Sequence, residues 1–316
     1  SLAVTDRFTT FPIELKGFTR ASKSRSFQRE IDRWRRVSNC DLYQANEWAT
    51  GVDILRLGDG LHSYWMEANE KSSSPFASLL RKHSRFHNER LHAERDALRS
   101  PRLKGIICNS RFVLQQLQER YPYAAERATV IYNPCSLDFA GPIKNTDGVF
   151  KIGFAGSGWH RKGLDIAIRA LADLPSDVHL IVAGNDSHSD KFYRLVKETG
   201  VESRVTFLGV VPDMVYFYQS IDALVHPARY DPCPNVAIEA ISAGLPVIAS
   251  RATGIADFYG LPGITVLDDV SKHESLASVC KEVFSRGIGV PDQGLKDMFS
   301  FEKFCRSLDL FYRDML

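Results

Sequence analysis

The sequence predicts an α/β fold built as two domains, each a largely parallel sheet with helices on both faces. Three observations carry this. In the second half, near-continuous apolar strands alternate with amphipathic helices, the pattern of a parallel sheet buried on both sides. The first half repeats the alternation less regularly. Between them a turn-rich stretch at 138–147 holds Gly141, Pro142, Asn145 and Asp147, and 316 residues suffice for two domains meeting near 145. The expected division is 1–145, 146–300, and a closing helix at 301–316 that packs back toward the first domain.

In chain order, the first element is a basic helix. Residues 16–36 hold eight basic and two acidic residues, with Phe27, Ile31 and Trp34 on one helical face. No nucleic-acid reading module accompanies it, so that partner is not expected. Strands are predicted at 40–44 and 54–57. The second runs into Gly58-Asp59-Gly60-Leu61-His62. An acid among small residues at a strand end stands where doubly wound folds hold ligands, which nominates Asp59, with His62 behind it.

A long helix is predicted from Pro75 to about Leu98, with Phe76, Leu79, Leu80, His83, Phe86 and Leu91 at helical spacing. Arg81, Lys82, Arg85, Arg90 and Arg95 give it a basic edge, which suits packing on the sheet, contact with an anionic bilayer, or both. A strand at 104–109, a helix at 112–121 capped by Ser110, and a strand at 129–132 complete this half. In the second half strands are expected at 150–154, 178–183, 205–208, 223–226, 247–249 and 264–267. Helices fall between them, including 164–171, 191–199 and 214–220, and two more close the chain at about 271–286 and 301–314.

Composition narrows the class. With 44% hydrophobic and 25% charged residues the chain reads as soluble and globular, and no apolar run reaches the length of a membrane span. Six cysteines at 40, 108, 135, 233, 280 and 305 lack CxxC spacing, which favours reduced thiols in the cytosol over disulfides or a zinc site. Cys233 reads as a small filler. Residues 1–150 carry 23 basic and 17 acidic groups against 17 and 21 in the remainder, so the first half is positive and suits an anionic surface or acceptor.

Two segments carry the site chemistry. The strand at 150–154 leads into Gly156-Ser157-Gly158-Trp159-His160-Arg161-Lys162-Gly163. Glycines allow close approach to a phosphate-bearing ligand, while adjacent Arg161 and Lys162 at a helix start call for an anion. The GxGxxxxG spacing is neither a dinucleotide fingerprint nor a P-loop, which disfavours a dehydrogenase. The second segment is Val225 to Ser250. Its helix, capped by Asn235 and beginning after Pro234, aims the amides near Asn235–Val236 at a phosphate, and Asp231 and Glu239 lie eight positions apart for sugar hydroxyls. Gly209 and Val210 could lend backbone groups to a base edge, and 250–254 could close the site.

These segments also carry a resemblance. FAGSGWHRKGLDIAIRALADLP, then LIVAGND with DKFYRLVKETGVESRVTFLG, then LVHPARYDPCPNVAIEAISAGLPVIAS resemble, in order and spacing, retaining glycosyltransferases of the two-Rossmann-domain GT-B type, family 4. The nearest subgroup is the lipopolysaccharide core glucosyltransferases I. YQANEWATGVDILRLGD resembles that family's acceptor-side segment, and the basic helix beyond it resembles the membrane-contacting region.

The resemblance implies that Arg161 and Lys162 neutralise the donor diphosphate. Glu239, second acid of the family's E-x7-E motif, would grip the ribose. Asp231 stands at the first acid, which contacts the transferred sugar, so this chain carries D-x7-E. Asp59 matches an acid facing the reacting sugar and acceptor. The N-terminal domain lacks the family's first strand, glycine-rich loop and helix, and the chain opens without an initiator Met, so a fragment is expected.

By the same resemblance, a hexose moves from a nucleotide sugar, most simply UDP-glucose, to a heptose hydroxyl of the lipopolysaccharide inner core with retention. No metal or prosthetic group is implied. The implied setting is a cytoplasmic monomer on the cytoplasmic face of the inner membrane. Alternatives are a related transferase with another nucleotide sugar and a glycolipid or small acceptor, or a non-catalytic nucleotide-sugar-binding protein.

Overall fold

The computed structural model describes residues 13–71, 84–139, 148–286 and 289–316. The N-terminal part runs α1 (Arg20–Val37), β1 (Gln44–Ala45), β2 (Ile54–Leu57), α2 (His62–Lys71), α3 (Arg85–Leu98), β3 (Gly105–Cys108), α4 (Arg111–Arg120), α5 (Pro122–Ala125) and β4 (Ala128–Val130). Its strands pair in parallel in the order β1-β2-β3-β4. β3 reads GIIC and is buried at every position, as a strand covered on both faces must be. Ser110 starts α4 as predicted, its hydroxyl accepting the Val113 N–H.

The C-terminal part holds β5 (Phe150–Ala155), α6 (Trp159–Lys162), α7 (Leu164–Ala172), β6 (Val178–Ala183), α8 (Ser189–Glu198), β7 (Val205–Gly209), α9 (Met214–Gln219), β8 (Ala223–His226), α10 (Asn235–Ser242), β9 (Val247–Ser250), β10 (Ile264–Leu267) and α11 (His273–Arg286). The sheet is parallel throughout, in the order β10-β9-β8-β5-β6-β7. The winding reverses between β5 and β8, so a crevice opens beyond their carboxyl ends, where such folds hold ligands. α12 (Gln293–Met298) and α13 (Phe301–Arg313) end the chain.

α13 lies against the first sheet. Phe311 packs with Ile54, Ile107 and Ile131, and Tyr312 donates to Gln44 Oε1 at 2.9 Å. A side chain at Gly105 would meet the Phe311 ring at 2.6 Å, so the helix sits this close because position 105 has none. Hydrogen bonds from Asn133 to Asn235, from Ser110 to the Pro232 carbonyl, and from Tyr230 to Gln116 are among those that join the two halves.

Three sequence expectations change, and two others reach outside the described residues. The strand at 40–44 shrinks to Gln44–Ala45, because the Tyr43 N–H is taken by the Asp53 carboxylate and cannot join a ladder. The long helix is described only as Arg85–Leu98; Phe76, Leu79, Leu80, Arg81, Lys82 and His83 lie outside the described residues, as do 140–147 of the expected boundary. Asn235 does not cap α10. Pro234 holds the cap position without a side-chain bond, while Asn235 Oδ1 accepts from Asn133. α12, capped by Asp292, was not anticipated.

Candidate active site

The loop after β5 is shaped by two close approaches. Gly156 has φ +122°, and a Cβ there would lie 2.7 Å from Lys162 Nζ. Gly163, with φ +84°, would put a Cβ 2.1 Å from the Pro227 carbonyl oxygen, so α6 turns tightly against the end of β8. Trp159 anchors the turn from below. It is buried, its indole N–H donates to the Gly156 carbonyl at 2.9 Å, and its amide donates to Asp186 at 2.8 Å.

This turn delivers both cations to one carboxylate. Arg161 Nη1 stands 3.5 Å and Lys162 Nζ 3.6 Å from Asp231 Oδ2. Arg161 also donates to the Tyr230 carbonyl at 2.8 Å. Arg229 braces the loop from the other side, donating to the His160 carbonyl and, through two nitrogens, to Asp165 at 2.9 and 2.7 Å.

Asp231 is buried where the loop after β8 folds over the end of β9. Its N–H donates to the Ala252 carbonyl at 3.0 Å and it bridges to Thr253. His226, fully buried at the end of β8, stands with Nε2 3.0 Å from Asp231 Oδ2. Burial opposes ionisation of Asp231, but the His226 hydrogen bond and the Lys162 and Arg161 charges outweigh it and hold the carboxyl well below its usual range. Burial lowers the Lys162 ammonium, with Asp231 working against that shift. It also lowers His226, which is neutral beside Asp231.

Glu239 sits one turn into α10, where Tyr218 donates to it at 2.6 Å. Burial raises its carboxyl, opposed by that hydrogen bond and by Lys162. Across the crevice, Asp59 is exposed on the loop after β2. Asn109 holds that loop by donating to the Gly58 carbonyl at 2.6 Å. A cleft of about 340 Å³ is lined from one side by Asp59, Gly60 and His62 and from the other by Arg161, Asp231 and Asn235.

Of the residues nominated from sequence, Asp59, Arg161, Asp231 and Asn235 therefore share one cleft. Lys162 joins them through Asp231 and lies over Gly156. Ser157 is exposed on the same loop, and Val236 passes its carbonyl to the Tyr218 hydroxyl beside Glu239. Gly209 and Val210 do not line this cleft: they follow β7, two strands from β5, with the Gly209 carbonyl taken by the Gly184 N–H. Sequence reasoning passed over His226, Arg229, Tyr218 and the two tryptophans of the cleft wall, Trp48 and Trp65. A histidine closing an apolar strand five residues ahead of Asp231 was the available signal for His226.

Cys233 is partly buried against the C-terminal core, and burial pushes its thiol up to about 12, which fits a filler rather than a nucleophile. Among the described residues no group of three or more His, Cys, Asp or Glu is placed to hold a metal ion. No described helix is long and apolar enough to cross a membrane.

Two parallel-sheet domains meeting at a cleft, with paired cations and acids at the switch point of the second, make up the two-Rossmann-domain architecture termed GT-B. Residues 5–139 match the profile described as Glycosyltransferase Family 4 and residues 149–285 that described as Glycosyl transferases group 1. The chain belongs to the family 4 GT-B glycosyltransferases.

It is similar to lipopolysaccharide glucosyltransferase WaaG of Escherichia coli K12, at 34% identity over 136 residues, 42% of this chain and 36% of that relative. The matched stretch thus spans little more than a third of the relative's length. Among solved structures, that of WaaG, a glycosyltransferase involved in lipopolysaccharide biosynthesis, superposes with a TM-score of 0.71 at 22% identity, covering 94% of this chain and 81% of that one. Anabaena HepE in complex with UDP and glucose gives 0.61 at 21% identity, covering 83% and 71%. At these identities the structural likenesses speak for the fold.

Proposed function

We propose that this chain transfers a hexose, glucose from UDP-glucose, to a heptose hydroxyl of the lipopolysaccharide inner core with retention of configuration. The observation that carries the reading is the convergence of Arg161 and Lys162 on Asp231 at the switch point. As the bond from the sugar to the diphosphate breaks, charge grows on the leaving group, and two cations beside the amides of α10 stabilise that charge. An incoming diphosphate takes over both cations and leaves Asp231, still held by His226, for hydroxyls of the transferred sugar. Glu239, steadied by Tyr218, faces the ribose. Gly156 and Ser157 give the diphosphate a close backbone approach. Asp59 orients the acceptor, which attacks on the face that the diphosphate leaves while the departing phosphate takes its proton.

Supporting this reading are the family membership, the relatedness to a lipopolysaccharide glucosyltransferase, and the fold shared with a protein solved with UDP and glucose. We place the diphosphate on Arg161 and Lys162 rather than on a metal ion. The same reading puts the protein, as a monomer, against the cytoplasmic face of an anionic membrane. The strongly exposed Arg85 supports this contact, although Arg85 and Arg90 on α3 already pair with Glu89 and Glu47.

The test offers UDP-glucose, UDP-galactose, UDP-N-acetylglucosamine and GDP-mannose to the protein with a deacylated, heptose-terminated core oligosaccharide, and reads the anomeric configuration of the product by NMR. An α-glucoside formed from UDP-glucose is expected. Transfer from another of the four would favour the related transferase with a different donor, and donor binding without any transfer would overturn the heptose acceptor.

A further inference from the structure

Asp59 is bracketed by two anchors from different domains. On one side Asn109 of the first domain donates to the Gly58 carbonyl at 2.6 Å. On the other, the Tyr230 hydroxyl of the second domain lies against Gly60, where a Cβ would stand 2.4 Å from it and 2.8 Å from Pro232 Cγ. Gly60 has φ +69°, so the loop bends onto that oxygen only because position 60 has no side chain. The Tyr230 side chain is buried, its hydroxyl donates to Gln116 Oε1 on α4 at 3.0 Å, and the Leu61 N–H faces the same oxygen. Its ring meets that of Phe112 with centroids 5.9 Å apart. Burial, then the Glu94 carboxylate, push the phenol above its usual range, so the hydroxyl keeps its proton. The main chain of the same residue serves the second domain: its carbonyl accepts from Arg161 at 2.8 Å, and Asp231 follows it.

We propose that Tyr230 is a positioning residue that sets Asp59, across the domain boundary, against Arg161 and Asp231. The proposal rests on the glycosyl-transfer reading and goes beyond it by naming what aligns the two sides of the cleft. The ties from Ser110 to the Pro232 carbonyl and from Asn133 to Asn235 bond other segments. Tyr230 touches the loop of Asp59 and holds Arg161 as well, so one residue fixes the distance between that acid and the donor-side cation. Moving the domains apart would leave a buried hydroxyl and the buried Gln116 amide unpaired, which is costly. Transfer is sensitive to such placement, since a misplacement of about 1 Å can cost on the order of 100-fold.

The test has two arms and uses Tyr230→Phe, which keeps the ring and the carbonyl on Arg161 and removes only the hydroxyl. The first arm needs no turnover. Hydrogen exchange of residues 58–62 is followed by mass spectrometry, and in Tyr230→Phe it becomes about fivefold faster while α10 exchanges as in the wild type. The second arm supplies UDP-glucose and the deacylated heptose-terminated oligosaccharide. There Tyr230→Phe lowers kcat for transfer about tenfold, while the UDP-glucose Kd stays within about twofold because Arg161 and Lys162 are untouched. Gln116→Leu removes the other end of the bond and gives the same split, a second variant should Tyr230→Phe fold poorly. Gly60→Ala forces a Cβ onto the hydroxyl, and it costs less activity when added to Tyr230→Phe than on its own.

Unchanged exchange at 58–62 in Tyr230→Phe, or an unchanged kcat, overturns the proposal. So does a fall in UDP-glucose affinity equal to the fall in transfer, which would make Tyr230 a prop of the donor loop. If the wild type transfers no sugar, the glycosyl-transfer reading fails by itself. Faster exchange at 58–62 then upholds the tie between the domains, and unchanged exchange removes it too.

Discussion

His226 and Asp231 meet at the buried end of β8, Nε2 to Oδ2 at 3.0 Å, while His226 Nδ1 has no hydrogen-bond partner among the described residues. That pattern assigns a neutral imidazole whose Nε2–H donates to an ionised carboxylate. His226 thus sets the position of Asp231 while Arg161 and Lys162 remain available to a diphosphate. His226→Ala leaves a buried carboxylate short of a donor, a cost of about 1–3 kcal/mol, and transfer falls on the order of tenfold. His226→Gln supplies an amide donor and recovers part of it.

The pH dependence of that pair has a definite sign. Both groups have folded pKa values below their ordinary 6.5 and 3.8, so each contributes stability that is present above those values and is lost as pH falls. Lys162 and Arg161 face the same pair and strengthen the effect on His226. Melting temperatures measured between pH 7.5 and 5 should fall less steeply for His226→Gln than for the wild type. Parallel curves would remove His226 as a contributor.

Lys162 separates activity from stability. Its ammonium is buried with a lowered pKa, so holding it charged opposes folding, a cost that its proposed contact with the leaving diphosphate would explain. Lys162→Met should reduce kcat on the order of 100-fold and leave the melting temperature equal or higher. An unchanged rate would dismiss the electrostatic role.

His62 gives a direct spectroscopic check of the cleft wall. Its ring proton should titrate near pH 4 by NMR, and stability linked to it should be lost as pH drops from 6.5 through that value. His87→Ala removes one of the causes of the shift and should move the His62 midpoint upward.

How much of this could be read beforehand depended on range. The six strands of the second sheet were legible because each is an apolar run, such as VHLIVA at Val178–Ala183, closed by small or acidic residues. Arg161 and Lys162 stood out as charges after glycines, and Asp231 and Glu239 as acids around a helix start. The tie between His226 and Asp231 was hidden, because it requires the loop after β8 to fold across β9 and bridge Thr253. The stack of His62, Trp65 and His87 joins two helices, α2 and α3, whose relative placement no periodicity encodes. β1 misled for a local reason: an alternating stretch lost its amide to Asp53.

One tie between the domains tests whether they are held in register. Asp257, from the second domain, accepts the N–H groups of Arg111 and Phe112, at 2.6 and 3.1 Å, and the Tyr132 hydroxyl at 2.9 Å. Those amides open α4, and Ser110 already serves the next one, so the second domain completes a helix cap in the first. Burial raises the Asp257 carboxyl and these hydrogen bonds oppose the rise, so the carboxylate depends on them to stay ionised. Asp257→Ala strips two amides of their acceptor, at about 1–3 kcal/mol, and frees Asp59 to drift from Asp231. The expected result is a lower melting temperature and kcat reduced on the order of tenfold, with UDP affinity retained because Arg161, Lys162 and Glu239 belong to one domain. Loss of UDP binding in the same variant, measured by calorimetry, would show that Asp257 supports the donor loop itself and not the alignment of the two domains.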